Sequence, residues 1–218
     1  MSLALHYHPL SSFCWKPLIA LYERGTLFTP HIVDLGNAES RAAFTALWPI
    51  AKFPVLRDEP NGRTVPESTI ILEYLEQHYP GRVALFPRDP ELLLQARQQD
   101  RFYDLYLHVQ MQKIITDRLR PEGQNDTYGV EQAKKLLRTA LDMVERDMAN
   151  KSWALGESFS FADCAAMPAL YYSNVALPFA DSHPVTTRYL ARLKERPSVA
   201  RVLEEAEPYF HLLPKERP

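Results

Sequence analysis

Three short clusters of residues hold the side chains of this sequence that could do chemistry. They are Ser11-Ser12-Phe13-Cys14, Lys52-Phe53-Pro54-Val55 and Pro66-Glu67-Ser68. Each cluster lies at a junction between a predicted strand and the element that follows it. In open α/β layers, ligands bind at such junctions, beside the N-termini of helices. The sequence therefore places its candidate site in the first half of the chain.

The two cysteines, Cys14 and Cys164, argue against disulfide and metal chemistry. Two cysteines provide no disulfide framework, so a reducing cytoplasm is the expected compartment. Cys14 is predicted to lie partly buried in a first helical turn rather than to act as a nucleophile, and Cys164 is predicted to lie in the core. The sequence has no Cys-x-x-Cys and no His-x-x-x-His spacing, so no metal site is expected.

Short strands and helices alternate in the first half. Apolar spacing and turn residues predict strands at residues 3–7, 29–33, 55–58 and 64–65, and helices at 15–24, 38–47 and 68–78. Gly25 is placed as a helix C-cap, and the residues from Glu59 to Gly62 predict a hairpin turn. The predicted order is β-α-β-α-β-β-α.

The second half contains no convincing strand. Asp89-Pro90 is typical of a helix start, and residues 131–148, 188–194 and 198–205 predict further helices. Ser160 and Asp163 have capping-box spacing and open a largely apolar segment that runs to Ala180. Because that segment is short for a membrane span and aspartates flank it, we expect a buried helix.

Composition excludes several classes of protein. The chain has 218 residues, of which 46% are hydrophobic and 24% charged, so disordered and fibrous classes do not fit. With a formal charge of −2, the chain has no excess of positive charge that would attract nucleic acid or an anionic membrane. The N-terminus has neither a basic leader nor a long apolar run, so no signal peptide is expected.

The sequence resembles the cytosolic glutathione S-transferase family in motifs that follow one another at family spacing along nearly the whole chain. These motifs are Ser11-Ser12-Phe13-Cys14-Trp15-Lys16, Ala51-Lys52-Phe53-Pro54-Val55-Leu56, Pro66-Glu67-Ser68-Thr69-Ile70-Ile71, the segment from Gly156 to Asp163, and Arg196-Pro197. Departures include Trp48 for the family's asparagine, Ala51 for its glycine and Phe53 for a smaller apolar residue. The sequence therefore mixes tau-like, theta-like and zeta-like features of a serine-type member.

The resemblance implies an α/β thioredoxin-like N-terminal domain followed by an all-α C-terminal domain. The first, residues 1–82, would bind glutathione, and the second, residues 89–218, would carry the pocket for the electrophile. The same resemblance implies a homodimer. Neither nucleic acid nor a membrane is expected as a partner, because the charge is near neutral, and no metal is expected, because the ligand spacing is missing.

Ser11 is, by this resemblance, the residue that stabilises the glutathione thiolate. Ser12 is the alternate, because the zeta class carries a similar Ser-Ser-x-x-Trp stretch and uses its second serine. A hydroxyl beside the sulfur and the positive end of a helix both favour the anion, which is the nucleophile. The alternative is a pair of serines that only cap a helix.

The other two motifs would hold the peptide part of glutathione. A cis bond before Pro54 would expose the N–H and C=O of Phe53 to the ligand backbone, and Lys52 could pair with the glycine carboxylate. Ser68 could bind the γ-glutamyl carboxylate and Glu67 the γ-glutamyl ammonium. The alternatives are a trans proline, a solvated lysine and an ordinary helix cap.

The function implied is conjugation of glutathione to hydrophobic electrophiles, a detoxification chemistry. A zeta-like glutathione-dependent cis–trans isomerase and a non-catalytic binding protein of the same fold are the alternatives. Aromatic residues of the second half are candidates for the electrophile pocket, although core packing is the more economical interpretation of each: Tyr103, Tyr106, His108, Tyr171, Tyr172, Tyr209 and Phe210.

Overall fold

A computed structural model describes residues 3–215, so the outermost residues of both predicted domains lie outside the described part. The chain divides into two compact units. The first runs to Leu85 and includes Ala200–Phe210, and the second comprises Phe86–Val199 and the residues from His211 on. The strands are β1 (Leu3–Tyr7), β2 (Thr29–Ile32), β3 (Val55–Asp58) and β4 (Arg63–Pro66). The helices are α1 (Ser12–Arg24), α2 (Ala38–Leu47), α3 (Ser68–His78), α4 (Pro90–Phe102), α5 (Val109–Asp117), α6 (Thr127–Asp147), α7 (Phe161–Ala176), α8 (Pro184–Lys194) and α9 (Pro197–Ala206).

The first unit is built on a mixed four-stranded sheet with the order β2-β1-β3-β4. Strand β1 runs parallel to β2 and antiparallel to β3, and β3 runs antiparallel to β4. His6 pairs with Val55, and Val55 pairs with Pro66. The end of β1, the start of β3 and the end of β4 therefore lie at one edge of the sheet. This is the thioredoxin-like arrangement that the resemblance implied.

Two groups of buried side chains hold this unit together. Trp15 and Ile19 of α1, and Ile71 and Leu75 of α3, are fully buried, and the two helices pack against each other. A smaller cluster of buried side chains consists of Val33, Phe44 and Val55. Four partly buried hydrophobic residues pack against it: Leu35, Leu47, Trp48 and Phe53. Phe53, the bulky departure from the family motif, is therefore anchored by α2.

The described elements of the second unit are helices, apart from an isolated β-bridge between Trp153 and Gly156, and α7 lies at its centre. Ser160 accepts a hydrogen bond from the N–H of Ala162, and Asp163 accepts one from the N–H of Ser160 at 2.8 Å, which closes the predicted capping box. Asp163 also accepts from Tyr189 Oη at 2.6 Å. The apolar segment is a buried helix, as expected, and within residues 3–215 no helix has both the length and the apolarity to cross a bilayer.

The structure departs from the predicted elements at several helix and strand ends and at two segments that were not predicted. Helices α6 and α8 begin at Thr127 and Pro184, each four residues before its predicted start. Helix α1 begins at Ser12, three residues before the predicted start, because Ser11 has the extended backbone of an N-cap. A π-helical segment, Tyr103–His108, joins α4 to α5, and a 3₁₀ helix, Glu207–Leu212, follows α9.

Candidate active site

The strand register brings the three sequence clusters to the same edge of the sheet. Ser11 follows β1, Lys52 precedes β3, and Glu67 follows β4. Helices α1 and α3 both begin there, and Lys16 Nζ joins them by donating to Thr69 Oγ1 at 2.7 Å. Two helix N-termini at one edge make it a place where negative charge is stabilised.

Ser11 is the N-cap of α1, yet its hydroxyl makes no capping hydrogen bond. Its backbone N–H donates to the carbonyl of His8 at 2.9 Å, so the turn is held by the main chain. Ser12 is the first helical residue, both serines are half-buried, and the first turn of α1 carries no acidic residue that would cancel the helix dipole. Ser11 is therefore not a simple capping serine, because its side chain does not cap α1.

Two buried side chains of this part of the first unit, Cys14 and Tyr7, remain protonated at neutral pH. Burial raises the pKa of Cys14 to about 12, against the opposing effects of hydrogen bonds from the Ser11 side chain and the His8 backbone. Burial, together with Glu205 and Tyr209, raises the pKa of Tyr7 to about 12. Neither group is an anion that could act as a nucleophile.

The loop before β3 carries the predicted proline geometry. The Phe53–Pro54 peptide bond is cis. Outside the helices and strands of residues 3–215, no backbone hydrogen bond uses the N–H or C=O of Phe53. Lys52 is exposed, and Ala51 adopts a φ of 55°, a conformation that favours the glycine usual in the family motif.

Glu67 and Ser68 form the junction between β4 and α3. Glu67 is exposed and has a φ of 69° and a ψ of 119°, which is a strained conformation for a residue with a side chain. It is the N-cap of α3, but its carboxylate makes no capping hydrogen bond. Ser68 is buried at the first position of the helix, and the first turn of α3 has no acidic residue.

His8 belongs to this edge, and our sequence reasoning missed it. Its ring stacks at 6.1 Å from Phe53 and meets Tyr209 edge-on at 5.4 Å. Its Nδ1 accepts a hydrogen bond from the N–H of Leu10 at 3.2 Å. Burial lowers the pKa of His8, although Asp34 opposes the shift, so the ring is neutral at pH 7. Its position directly after β1 is the signal that could have found it.

Three of the seven aromatic candidates are buried, and the other four are partly buried or exposed. Tyr103, His108 and Tyr172 are buried, whereas Tyr106 is exposed. Among residues 3–215, no group of three or more His, Cys, Asp or Glu side chains is placed to hold a metal ion.

Comparison with known families decides which family the chain belongs to. Residues 5–83 match the N-terminal domain of glutathione S-transferases, and residues 102–197 match the C-terminal domain. The chain belongs to the glutathione S-transferase family. This is a family of transferase enzymes, and the recognition made from the sequence motifs is confirmed.

Similar proteins of this family come from plants, bacteria and animals. Glutathione S-transferase U24 of Arabidopsis thaliana is 29% identical over 215 residues, which cover 95% of this chain and 92% of that protein. The match to glutathione S-transferase U10 of the same plant, at 29% identity, covers 68% of this chain and 61% of that protein. A probable maleylacetoacetate isomerase of Caenorhabditis elegans is 27% identical over 167 residues, 75% of each chain.

Solved structures of glutathione S-transferases share the fold. One from Methylobacillus flagellatus KT, crystallised with glutathione bound, aligns with a TM-score of 0.84 at 25% identity and covers 92% of this chain and 98% of its own. One from Methylobacterium radiotolerans, in complex with glutathione sulfonate, aligns with a TM-score of 0.78 at 25% identity and covers 100% of this chain and 97% of its own.

Proposed function

We propose that this protein adds the thiolate of glutathione to hydrophobic electrophiles. The observation that carries the proposal is the convergence of the three clusters and of the N-termini of α1 and α3 at one edge of the sheet. Glutathione has two carboxylates, an ammonium and a thiol, and this edge offers partners for each. The glutathione-binding domain is proposed to span residues 1–82, and the helical domain with the electrophile pocket residues 89–218.

Ser11 is proposed to stabilise the thiolate. A thiol has an ordinary pKa of about 8.5, so it needs a donor and a positive field to ionise near neutral pH. The Ser11 hydroxyl is not used in capping, and its present side-chain partner, the thiol of Cys14, is a weak one. A thiolate accepts a stronger, charge-assisted hydrogen bond from the same hydroxyl. Ser12, one residue into the helix, is the alternate donor.

The remaining predicted residues are proposed to hold the peptide. Lys52 would pair with the glycine carboxylate, and the backbone of Phe53, ahead of Pro54, would pair with the backbone of the ligand's cysteine. Ser68 would donate to the γ-glutamyl carboxylate at the start of α3, where the dipole favours an anion. Glu67 would accept from the γ-glutamyl ammonium.

Single serine substitutions test the assignment of the thiolate donor. A hydrogen bond to a charged group contributes about 1.5–3 kcal/mol, so Ser11→Ala should raise the pKa of the bound glutathione thiol by about 1–2 units. The thiolate absorbance of the complex against pH measures this, and calorimetry measures affinity. Ser12→Ala is the matched control. A thiol pKa unmoved in both variants would remove the mechanism, and a shift confined to Ser12→Ala would transfer the role to Ser12.

A second candidate function is a glutathione-dependent cis–trans isomerase. It is supported by the adjacent serines at the start of α1 and by the similarity to the probable maleylacetoacetate isomerase. Turnover of a maleyl substrate without consumption of glutathione would favour the isomerase. Failure of the protein to bind immobilised glutathione would favour a non-catalytic binding protein instead.

We propose further that the protein is a cytoplasmic homodimer that takes part in detoxification. The support for this is the family resemblance together with the two cysteines, which are free in the structure. Sedimentation equilibrium would give twice the chain mass of 25.1 kDa for a dimer. A mass equal to that of one chain would refute the dimer and would leave the proposal about the thiolate unaffected.

A further inference from the structure

We propose that Ser182 is a nucleophile that takes an acyl group from an activated carboxylic ester, with His183 as its general base and Asp142 as the residue that positions the histidine. These three residues belong to the second compact unit, whereas the candidate active site belongs to the first. Asp142 lies in α6, and Ser182 and His183 directly precede α8. The inference does not depend on the proposed reaction of glutathione.

Two hydrogen bonds join the three side chains. Ser182 Oγ lies 2.7 Å from His183 Nδ1, and His183 Nε2 lies 3.1 Å from Asp142 Oδ1. A carboxylate only accepts hydrogen bonds, so the proton of a neutral His183 ring lies on Nε2. Its Nδ1 then accepts from the hydroxyl of Ser182. A nucleophile bonded to a base, and a base oriented by a third group, is the arrangement that activates serine hydroxyls.

The base is fixed in place, whereas the nucleophile is open to solvent. His183 is 6% exposed, and its ring meets Phe179 edge-on at 6.2 Å. Ser182 is exposed, so an ester can reach its hydroxyl. That hydroxyl has a competing acceptor, the carbonyl of Phe179 at 3.3 Å, but the contact with Nδ1 at 2.7 Å is the shorter one. The hydroxyl proton is therefore directed towards the base.

The reaction begins when Ser182 Oγ attacks the carbonyl carbon of the ester and its proton passes to His183 Nδ1. The tetrahedral intermediate then expels the alcohol part of the ester, which takes this proton as it leaves, so the products are an acyl-serine and an alcohol. The N–H groups of Val185 and Thr186 are already taken by Glu145, both at 2.8 Å, and are not donors for the oxyanion. We therefore expect acylation only by esters with a good leaving group, and one acylation per chain rather than rapid turnover.

The test treats the whole protein with p-nitrophenyl acetate in the absence of glutathione. Peptide mass mapping at successive times gives the acetylation rate of each serine. Ser158 is the internal control, because it is an exposed serine of the same unit. His183→Gln removes the base, Asp142→Ala removes the carboxylate, and Asp142→Glu keeps one. Because the side chain of Asp142 is 66% exposed, its variants should fold as the wild type does, which thermal unfolding checks.

We expect Ser182 to be acetylated about 100-fold or more faster than Ser158, since general-base catalysis contributes about 10²–10⁴-fold. His183→Gln should bring Ser182 to the rate of Ser158. Asp142→Ala should lower the rate about two- to tenfold, and Asp142→Glu should restore most of it, which a merely structural role of Asp142 would not explain. Equal rates at Ser182 and Ser158 in the wild type would overturn the inference. A rate unchanged in His183→Gln would overturn the role of the base, and a rate unchanged in Asp142→Ala the positioning role.

Discussion

Replacing Glu67 tests the claim that its backbone is held in a costly conformation for the sake of a ligand. A residue with a side chain at a φ of 69° and a ψ of 119° costs about 1–3 kcal/mol relative to a relaxed one. Glycine avoids that cost but loses about 0.5–1 kcal/mol through the greater freedom of the unfolded chain. The variant Glu67→Gly should therefore be about 1 kcal/mol more stable than Glu67→Ala, which keeps the Cβ.

The side chain of Glu67 should matter for binding and not for stability. It is exposed and makes no capping hydrogen bond, so Glu67→Ala should leave the free energy of unfolding within about 0.5 kcal/mol of the wild type. If its carboxylate accepts from the ligand's ammonium, both variants should lose roughly ten- to hundredfold in affinity for glutathione. Stability and affinity should thus move in opposite directions in Glu67→Gly.

Ala51 provides the matched control, because it also has a positive φ, of 55°, but no proposed contact with the ligand through its side chain. Ala51→Gly should be stabilised by about 0.5–1 kcal/mol and should bind glutathione as the wild type does. Thermal unfolding reports the stability, at about 2–4 °C for each kcal/mol in a chain of this size, and calorimetry reports the affinity. A Glu67→Gly protein less stable than Glu67→Ala, or wild-type affinity in both, would refute the reasoning.

Two further predictions concern buried groups of the first unit. Asp58 accepts hydrogen bonds from Tyr79, Asn61 and Tyr74, and these outweigh the effect of burial and hold its pKa at about 2 instead of the ordinary 3.8. The lowered pKa should contribute about 2 kcal/mol to the free energy of unfolding above pH 4. That contribution should be lost as the pH falls through 2. Unfolding in denaturant should show that loss in the wild type, and a similar acid slope in Asp58→Asn would contradict it. Cys14 is fully buried with a raised pKa, so iodoacetamide should label it only after unfolding, and labelling of the native protein at the rate of a free thiol would contradict its burial.

Local sequence signals were sufficient for most elements of the fold. Helices α2 and α3 and strand β3 have the predicted bounds, because each follows its apolar spacing between clear start and stop residues. The capping box at Ser160 formed although aspartate replaces the usual glutamate, since the Asp163 carboxylate still reaches the N–H of Ser160 at 2.8 Å. These are short-range interactions, and short-range patterns predict them.

The remaining features depend on contacts that no local pattern contains. The π-helical segment 103–108 has the same apolar spacing as an α-helix, so the sequence gives no sign of it. Positive φ values at Ala51 and Glu67 run against the preference of both residue types. The pairing of His8 with Tyr209 joins residues at opposite ends of the chain. Only the packed structure brings such groups together.

Departures from ordinary helix capping and ordinary backbone conformation are concentrated at the edge of the sheet that carries the candidate site. Helices α2, α4, α6 and α7 are all capped by the side chains of their N-cap residues. At α8 the carboxylate of Glu145 takes that role by accepting from the N–H groups of Val185 and Thr186, both at 2.8 Å.

Helices α1 and α3 differ, because the side chains of their N-cap residues, Ser11 and Glu67, make no capping hydrogen bond. Helix α5 also lacks such a bond, but it continues directly from the π-helical segment. Both lie at the edge where Ala51 and Glu67 have positive φ. Omitted caps and backbone strain lower stability by about 1 kcal/mol or more each, and departures of this kind are expected where a site must stay open. In the proposed function, a carboxylate and the thiolate of glutathione would lie at these two helix N-termini, where the helix dipoles favour negative charge.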